Sequence, residues 1–238
     1  MLVLKNLSVT TEDKEILKDV NLEFGPGIHF IVGPNGAGKS TLAHALMANP
    51  KYEIGGEIAL GDTSLTELNT YERAQLGLFL SFQNPTPIEG LSNFRLIKEV
   101  LDLKTTATIM NKLNGFRGLA KDLNLPSDWD KKELNVQASG GEKKKNELIQ
   151  MTMLDPSVAI LDEPDSGLDV DAINDLITQL QKFNDGIKTV IIVSHYEKLL
   201  KSFTPESVTV VANGTAVQQD SYVIDDVLTK GFKQYNDI

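Results

Sequence analysis

Residues 33 to 41 read Gly33-Pro34-Asn35-Gly36-Ala37-Gly38-Lys39-Ser40-Thr41, directly after the apolar run Ile28-His29-Phe30-Ile31-Val32. These types at this spacing suit one kind of chemistry. Glycines at 36 and 38 tolerate positive φ, so their backbone N–H groups can turn toward a common centre. A helix opening at Lys39 adds unsatisfied N–H groups and the positive end of its dipole, and together they make an anion cradle. Lys39 brings a positive charge on a long stem, and Ser40 brings a hydroxyl able to ligate a divalent cation. Gly33, four residues, then Gly38-Lys39-Ser40 matches the polyphosphate pattern, with Lys39 reaching the β- and γ-phosphates and Ser40 the Mg²⁺. A nucleoside triphosphate with Mg²⁺ is the ligand expected.

A metal at Ser40 needs an acidic partner at the end of another buried strand. Val158-Ala159-Ile160-Leu161 followed by Asp162-Glu163 supplies it. Four apolar residues put Asp162 at the carboxyl end of a strand, where open α/β sheets bind ligands. Asp162 then holds Mg²⁺ directly or through water, and Glu163 is placed as general base for a water attacking the γ-phosphate. Ser139-Gly140-Gly141-Glu142-Lys143 marks a second helix start with anion-binding character. One triphosphate tail needs only one cradle. The economical reading is a head-to-tail pair of chains, each closing its Ser139 segment on the nucleotide held by the other's Gly33 loop.

The elements that position these groups are legible in outline. Residues 2–9 alternate as a strand, 20–24 form a second strand ended by Gly25-Pro26-Gly27, and 28–32 form a short buried strand. A helix follows from 39 to about 48, then an edge strand at 57–60 and an apolar run at 78–82. From about 85 to 137 helical patterns dominate, most clearly over 98–112, and this block holds the only tryptophan, Trp129. Buried-strand patterns return at 158–161, 189–193 and 208–212, separated by helices, which implies a largely parallel sheet covered on both faces. Ser221 is the expected cap of a last helix.

With 238 residues, 41% hydrophobic and 24% charged, the chain suits one large α/β domain or a core carrying an inserted lobe. A net charge of -10 argues against general binding to nucleic acid or to an anionic membrane. The run Lys143-Lys144-Lys145 is either a local basic patch or a solvated helix face. With no cysteine there is no disulfide, which suits the cytosol, and no thiolate to hold an iron–sulfur cluster. The N-terminus does not read as a signal peptide, and no apolar stretch approaches the roughly 18–20 residues needed to cross a bilayer.

Taken together, the motifs carry a resemblance. The sequence resembles the ATP-binding cassette (ABC) ATPases over nearly its whole length. The lid position Gln83, the signature Ser139-Gly140-Gly141-Glu142, the segment Ser166-Gly167-Leu168-Asp169 after Glu163, and His195 after the strand 189–193 occur in that family's order. Within the family it is similar to the SufC-type ATPases of iron–sulfur cluster assembly. That similarity rests on residues 138–151, 165–172 and 194–196, on Glu72-Arg73-Ala74 with 77–83, and on Tyr52-Glu53-Ile54-Gly55-Gly56. Transporter ATPases usually carry a glutamine–arginine pair after the signature glycines, where this chain has Glu142-Lys143-Lys144-Lys145. It departs from the SufC-type pattern at Ala138, where Phe is common, at Lys145, where Arg is common, and at Pro164. It also lacks an aromatic at residues 10–12, where many cassettes stack adenine.

The resemblance implies an α/β ABC-type P-loop ATPase with a mixed, mostly parallel core sheet, an N-terminal antiparallel strand region and an inserted helical lobe. The nucleotide-binding core would cover 1–84 and 138–238, and the lobe 85–137. ATP would be held by residues 33–41 and by Ser139, Gly140, Gly141, Glu142 and Asp169. Mg²⁺ would be held by Ser40, Gln83 and Asp162. Glu163, His195 and Gln83 would be catalytic, with His195 on the γ-phosphate. The implied partners are a second copy of the chain on ATP binding and a SufB/SufD-like scaffold, docked within 84–94. A cytoplasmic place follows, with no nucleic acid partner and no direct membrane insertion. The alternative is the ATP-binding subunit of a transporter docked on a permease, which shares every catalytic residue and is favoured by Pro164. A nucleotide-gated clamp is a further alternative, disfavoured by the acidic charge.

Overall fold

The computed structural model describes residues 1–12, 14–102, 115–184 and 187–235. In chain order the first elements are β1 (Leu2–Thr11), β2 (Lys14–Phe24), β3 (Gly27–Val32), α1 (Lys39–Leu46), β4 (Glu53–Leu60), β5 (Thr63–Ser64) and α2 (Thr70–Gln75). Then come β6 (Leu78–Ser81), β7 (Ile88–Ser92), α3 (Asn93–Asp102), a helical stretch α4 over 115–122, β8 (Glu133–Leu134) and α5 (Gly140–Leu154). The last are β9 (Val158–Asp162), α6 (Val170–Phe183), β10 (Thr189–Val193), α7 (Glu197–Lys201), β11 (Ser207–Ala212), β12 (Thr215–Gln219) and α8 (Val223–Lys230). Two compact units result: Met1–Leu80, Ser157–Pro164 and Asn184–Ile238 form one, and Ser81–Pro156 with Asp165–Phe183 the other.

The first unit carries two sheets. One is four-stranded in the order β2-β1-β4-β5, with antiparallel pairing throughout. The other runs β12-β11-β3-β10-β9-β6. In it β11, β3, β10 and β9 are mutually parallel, and β12 is antiparallel to β11. Every residue of β3, β9, β10 and β11 is buried, the signature of parallel strands covered on both faces. One apolar cluster joins the inward faces of both sheets to α1, including Leu4, Leu22, Phe24, Ile31, Leu42 and Ile191.

Some local expectations change. β2 begins at Lys14 rather than at residue 20. Its buried positions 17, 20, 22 and 24 step by three rather than two across Asp19, which breaks strict alternation. A bulge absorbs the extra residue: the register shifts between Leu7 and Val9, and Asp19 takes φ 49°. The strand expected at 57–60 starts at Glu53 and lies between β1 and the two-residue β5. Ser221 caps nothing: the residue before α8 is Tyr222, with no side-chain cap. In the second unit the helical pattern expected at 98–112 is α3 up to Asp102, and the rest lies outside the described residues. A short antiparallel ribbon, β7 with β8, sits among the helices there. Trp129 is buried with its ring centroid 4.9 Å from that of Phe116. The lysine run is not a solvated face, since Lys144 is only 5% exposed and Lys145 pairs with Asp175 at 3.4 Å. Among the described residues no helix is long and apolar enough to cross a membrane.

A buried polar chain ties β3 to β11 and β12. The Gln218 amide donates to Ser207 Oγ at 2.7 Å. Ser207 Oγ lies 2.8 Å from His29 Nδ1, and His29 Nε2 lies 2.9 Å from the Gly25 carbonyl. A carbonyl only accepts, so Nε2 carries the proton and Ser207 donates to Nδ1. Burial lowers the His29 pKa below its ordinary 6.5, opposed by the Gly25 bond and the nearby Glu206 charge. A lowered folded value contributes stability that is present above 6.5 and lost as pH falls through the folded pKa. The stability advantage of wild type over His29→Gln should therefore shrink between about pH 7.5 and about pH 5.5 in urea titrations. Parallel stability curves for the two proteins would contradict this.

Candidate functional site

β3 delivers the chain to the phosphate loop, and close packing sets where the loop begins. A Cβ on Gly33 would stand 2.2 Å from the Val211 carbonyl oxygen of β11, so only glycine fits there. Gly38, at φ 107°, is the residue before α1 and has no side chain to cap it. The first N–H groups of α1 are thus left to solvent or a ligand. Pro34, Asn35 and Gly36 are exposed, Ala37 is half-buried, and Thr41 is buried. Lys39 is buried, and its Nζ donates to the carbonyls of Gly33 at 2.9 Å and Pro34 at 3.0 Å, drawing the loop around the ammonium. Burial lowers the Lys39 pKa, while the charges of Glu163 and Asp162 oppose that shift.

The acidic partners stand beside this loop in the same unit. Asp162 is the last residue of β9 and is 1% exposed. The Ser40 hydroxyl donates to Asp162 Oδ1 at 3.0 Å. A hydroxyl and a carboxylate are the oxygen donors that Mg²⁺ takes when it shares its shell with phosphate oxygens and water. Among the described residues no group of three or more His, Cys, Asp or Glu could form an all-protein metal cage. The donor set therefore fits a metal that arrives with a polyphosphate. Glu163 follows at φ 46°, a left-handed conformation that costs on the order of 1–3 kcal/mol for a non-glycine residue. Its N–H donates to the Val193 carbonyl at 3.0 Å, so the ladder to β10 runs one residue past the strand before the chain turns away. His195 is exposed two residues after β10. It is held in place by Ser194, which is fully buried, donates its N–H to the Ile31 carbonyl at 3.3 Å and accepts from Tyr196 N–H at 3.0 Å.

The second unit holds the other expected site residues. Ser139 caps α5 in a reciprocal box: Ser139 Oγ accepts from Glu142 N–H at 3.2 Å, and Glu142 Oε2 accepts from Ser139 N–H at 2.8 Å. That backbone bond is the main reason the Glu142 carboxyl lies below its usual range. Gly140 and Gly141 open the helix, and Leu168 lies 3.9 Å from where a Cβ on Gly141 would be. The segment after Pro164 thus packs on the signature. Asp169 Oδ1 accepts from Ala172 N–H at 2.8 Å and so caps the start of α6. Gln83 is exposed just past β6. The structure therefore brings Lys39 and Ser40 of the loop together with Asp162 and Glu163, and places His195 in the same unit. It places Gln83, Ser139–Glu142 and Asp169 in the other unit.

Two residues on or against α1 have no role in the sequence reading. His44 Nε2 lies 4.0 Å from Asp162 Oδ2. The i, i+4 spacing from Ser40 to His44 was the available signal, because it puts both side chains on one face of α1. Arg73 is 1% exposed and donates to the carbonyls of Ala45, Leu46, Leu68 and Thr66. Its guanidinium sits at the C-terminal end of α1, where the helix dipole favours a cation, so it anchors the phosphate-loop helix from behind. Nothing local in the sequence marks this arginine as buried.

The family model described as "ABC transporter" matches residues 17–166. Vegetative protein 296 of Bacillus subtilis is 39% identical over 223 residues, covering 91% of this chain and 85% of that protein. The probable ATP-dependent transporter SufC of Escherichia coli is 37% identical over 232 residues, covering 94% of each. Among solved structures, the dimeric bacterial ABC transporter cassette MJ0796 superposes with a TM-score of 0.78 at 22% identity, over 93% of this chain and 99% of that one. The phosphate loop on a parallel sheet, the carboxylate beside its serine and the signature helix have the same origin: the chain belongs to the ABC family of ATP-binding ATPases, and within it to the SufC type.

Proposed function

We propose that this ATPase is the motor of an iron–sulfur cluster assembly machine. It would close on a second copy of itself around two ATP molecules and thereby move a SufB/SufD-like scaffold in the cytoplasm. The observation that carries the chemistry is the convergence of Lys39, Ser40, Asp162 and Glu163 at one edge of the parallel sheet. The similarity to the E. coli protein named SufC supports the choice of machine.

In this reading the N–H groups of residues 33–38 and of α1 grip the β- and γ-phosphates, and the Lys39 ammonium turns from its loop carbonyls to them. Ser40 and Asp162, with Gln83, would hold Mg²⁺, which when bound neutralises charge on the phosphate oxygens as a Lewis acid. Glu163 takes the proton of the attacking water, and the exposed His195 meets the γ-phosphate. Ser139, Gly140, Gly141, Glu142 and Asp169 would close on the nucleotide held by the other copy. The two motif sets belong to separate compact units, and a single triphosphate tail needs only one cradle. In this reading residues 1–84 and 138–238 make up the nucleotide-binding core and residues 85–137 the inserted helical lobe. The exposed side chain of Phe82 lies just before the docking segment 84–94, and that of Ile88 within it. Transporter coupling to a permease is the alternative that Pro164 favours.

Glu163→Gln should retain ATP binding and lose roughly 10²–10⁴-fold in turnover, measured as phosphate release. Near-normal turnover would remove Glu163 from the role. Ser139→Arg should leave nucleotide binding to the single chain intact and abolish ATP-dependent pairing in sedimentation. A persisting ATP dimer would exclude the composite site. Affinity capture from native cells, with soluble and membrane fractions analysed separately by mass spectrometry, tests the machine. A soluble SufB- or SufD-like scaffold is expected, and a multi-span permease would overturn the assignment.

A further inference from the structure

Two charged residues of α5 are buried with no place in the chemistry described so far. Lys144 Nζ donates to the Phe82 carbonyl at 2.7 Å. Glu147 Oε1 accepts from Phe82 N–H at 2.8 Å, and Glu147 Oε2 accepts from Ser81 Oγ at 2.8 Å. The two side chains, one helical turn apart, lie 3.8 Å from each other and are 6% and 7% exposed. Both backbone polar groups of Phe82 are therefore taken by the signature helix, while the Phe82 ring stays 48% exposed. That residue is held through both polar groups of its main chain. The next residue is Gln83. Lys144 and Glu147 also stand five and eight residues after Ser139, about 8–12 Å along the helix from the signature.

A buried charged pair is a costly way to hold a loop, because the desolvation of both ions must be offset by their mutual attraction and hydrogen bonds. Burial pushes the Glu147 carboxyl up, and the Phe82 N–H, the Lys144 charge and the Ser81 hydroxyl oppose that shift. Apolar side chains would fill the same volume at lower cost. What they would not do is grip a main-chain N–H and C=O in one orientation.

We infer that Lys144 and Glu147 are positioning residues for Gln83, latching the backbone just before it to the signature helix so that the lid glutamine and Ser139 move as one piece. This rests on the reading of Gln83 and Ser139 given above. Any displacement of the signature helix on pairing would carry Gln83 with it, and a broken latch would let Gln83 lag behind while leaving the phosphate loop intact.

The test is a mutant cycle on the full chain, read as steady-state ATP hydrolysis with thermal denaturation as a folding control. The Lys144→Met/Glu147→Gln double variant removes both charges together and leaves no lone buried ion. It should lower kcat by roughly 10–10²-fold, the scale of a catalytic group held slightly out of place, with KM for ATP nearly unchanged. Gln83→Ala should lower kcat to a similar extent, and adding it to the double variant should cost no more, because coupled residues are not additive. Lys144→Arg, which keeps a donor for the Phe82 carbonyl, should recover most of the rate. Multiplied losses in the triple variant, or a folded double variant with wild-type kcat, would overturn the latch. A wild-type rate in Gln83→Ala would instead bring down the role of Gln83, and the latch with it. If that double variant does not fold, the Lys144→Gln/Glu147→Gln pair, which also removes both charges but keeps polar groups, carries the same cycle to the same outcomes.

Discussion

β10 is hydrogen-bonded to β3 on one side and to β9 on the other, with Val193 in register with both Ile31 and Asp162. The chemistry of the first unit depends on that register. Parallel strands share a direction, so their carboxyl ends share an edge. Gly33 leaves β3, Glu163 leaves β9 and Ser194 leaves β10 at nearly one level. A slip of β10 by a single residue would turn its side chains to the opposite face and lift Asp162 away from Ser40. The fully buried strands below this edge leave no room for charge. Asp162 therefore stands at the very end of β9, Glu163 lies just past the edge, and Lys39 opens α1 after the phosphate loop.

The second unit solves a different problem with simpler means. A helix start leaves N–H groups unsatisfied, and an anion or a capping side chain can meet them equally well. Ser139 with Glu142, and separately Asp169, fill those positions here. Residue types that suit a cap are also those that suit a nucleotide contact, because both tasks require short polar side chains beside exposed backbone donors. The capping seen at these residues and the nucleotide contact proposed for them thus draw on one physical property.

Buried cations recur where backbone carbonyls need holding. Arg73 gathers four carbonyls around the end of α1, and Lys144 takes that of Phe82. In both cases a positive side chain fixes main chain beside a candidate site: the phosphate-loop helix in one, the approach to Gln83 in the other. Such groups rigidify only when every donor is matched, which is why they sit in dense polar surroundings.

Much of the site was legible because its signals are local. The phosphate loop announces itself through glycine spacing after a five-residue apolar run. Asp162 is marked by the four apolar residues before it, and Ser139 by the two glycines and the glutamate that follow. These features depend on backbone freedom, periodicity and capping, all set within a few residues. What the sequence alone did not decide is set by pairing across long separations. Ser40 and Asp162 meet across 122 positions, and the order β11-β3-β10-β9 chooses which carboxylate is opposite the serine. The bulge at Asp19 hid the first half of β2. Lys144 looks like either of its lysine neighbours until the fold turns it toward Phe82. The sequence by itself determined an anion cradle, an acidic strand end and a second helix start. Only tertiary structure decided which groups share an edge and which charges are buried, because burial and register are properties of the whole packing, not of any one segment.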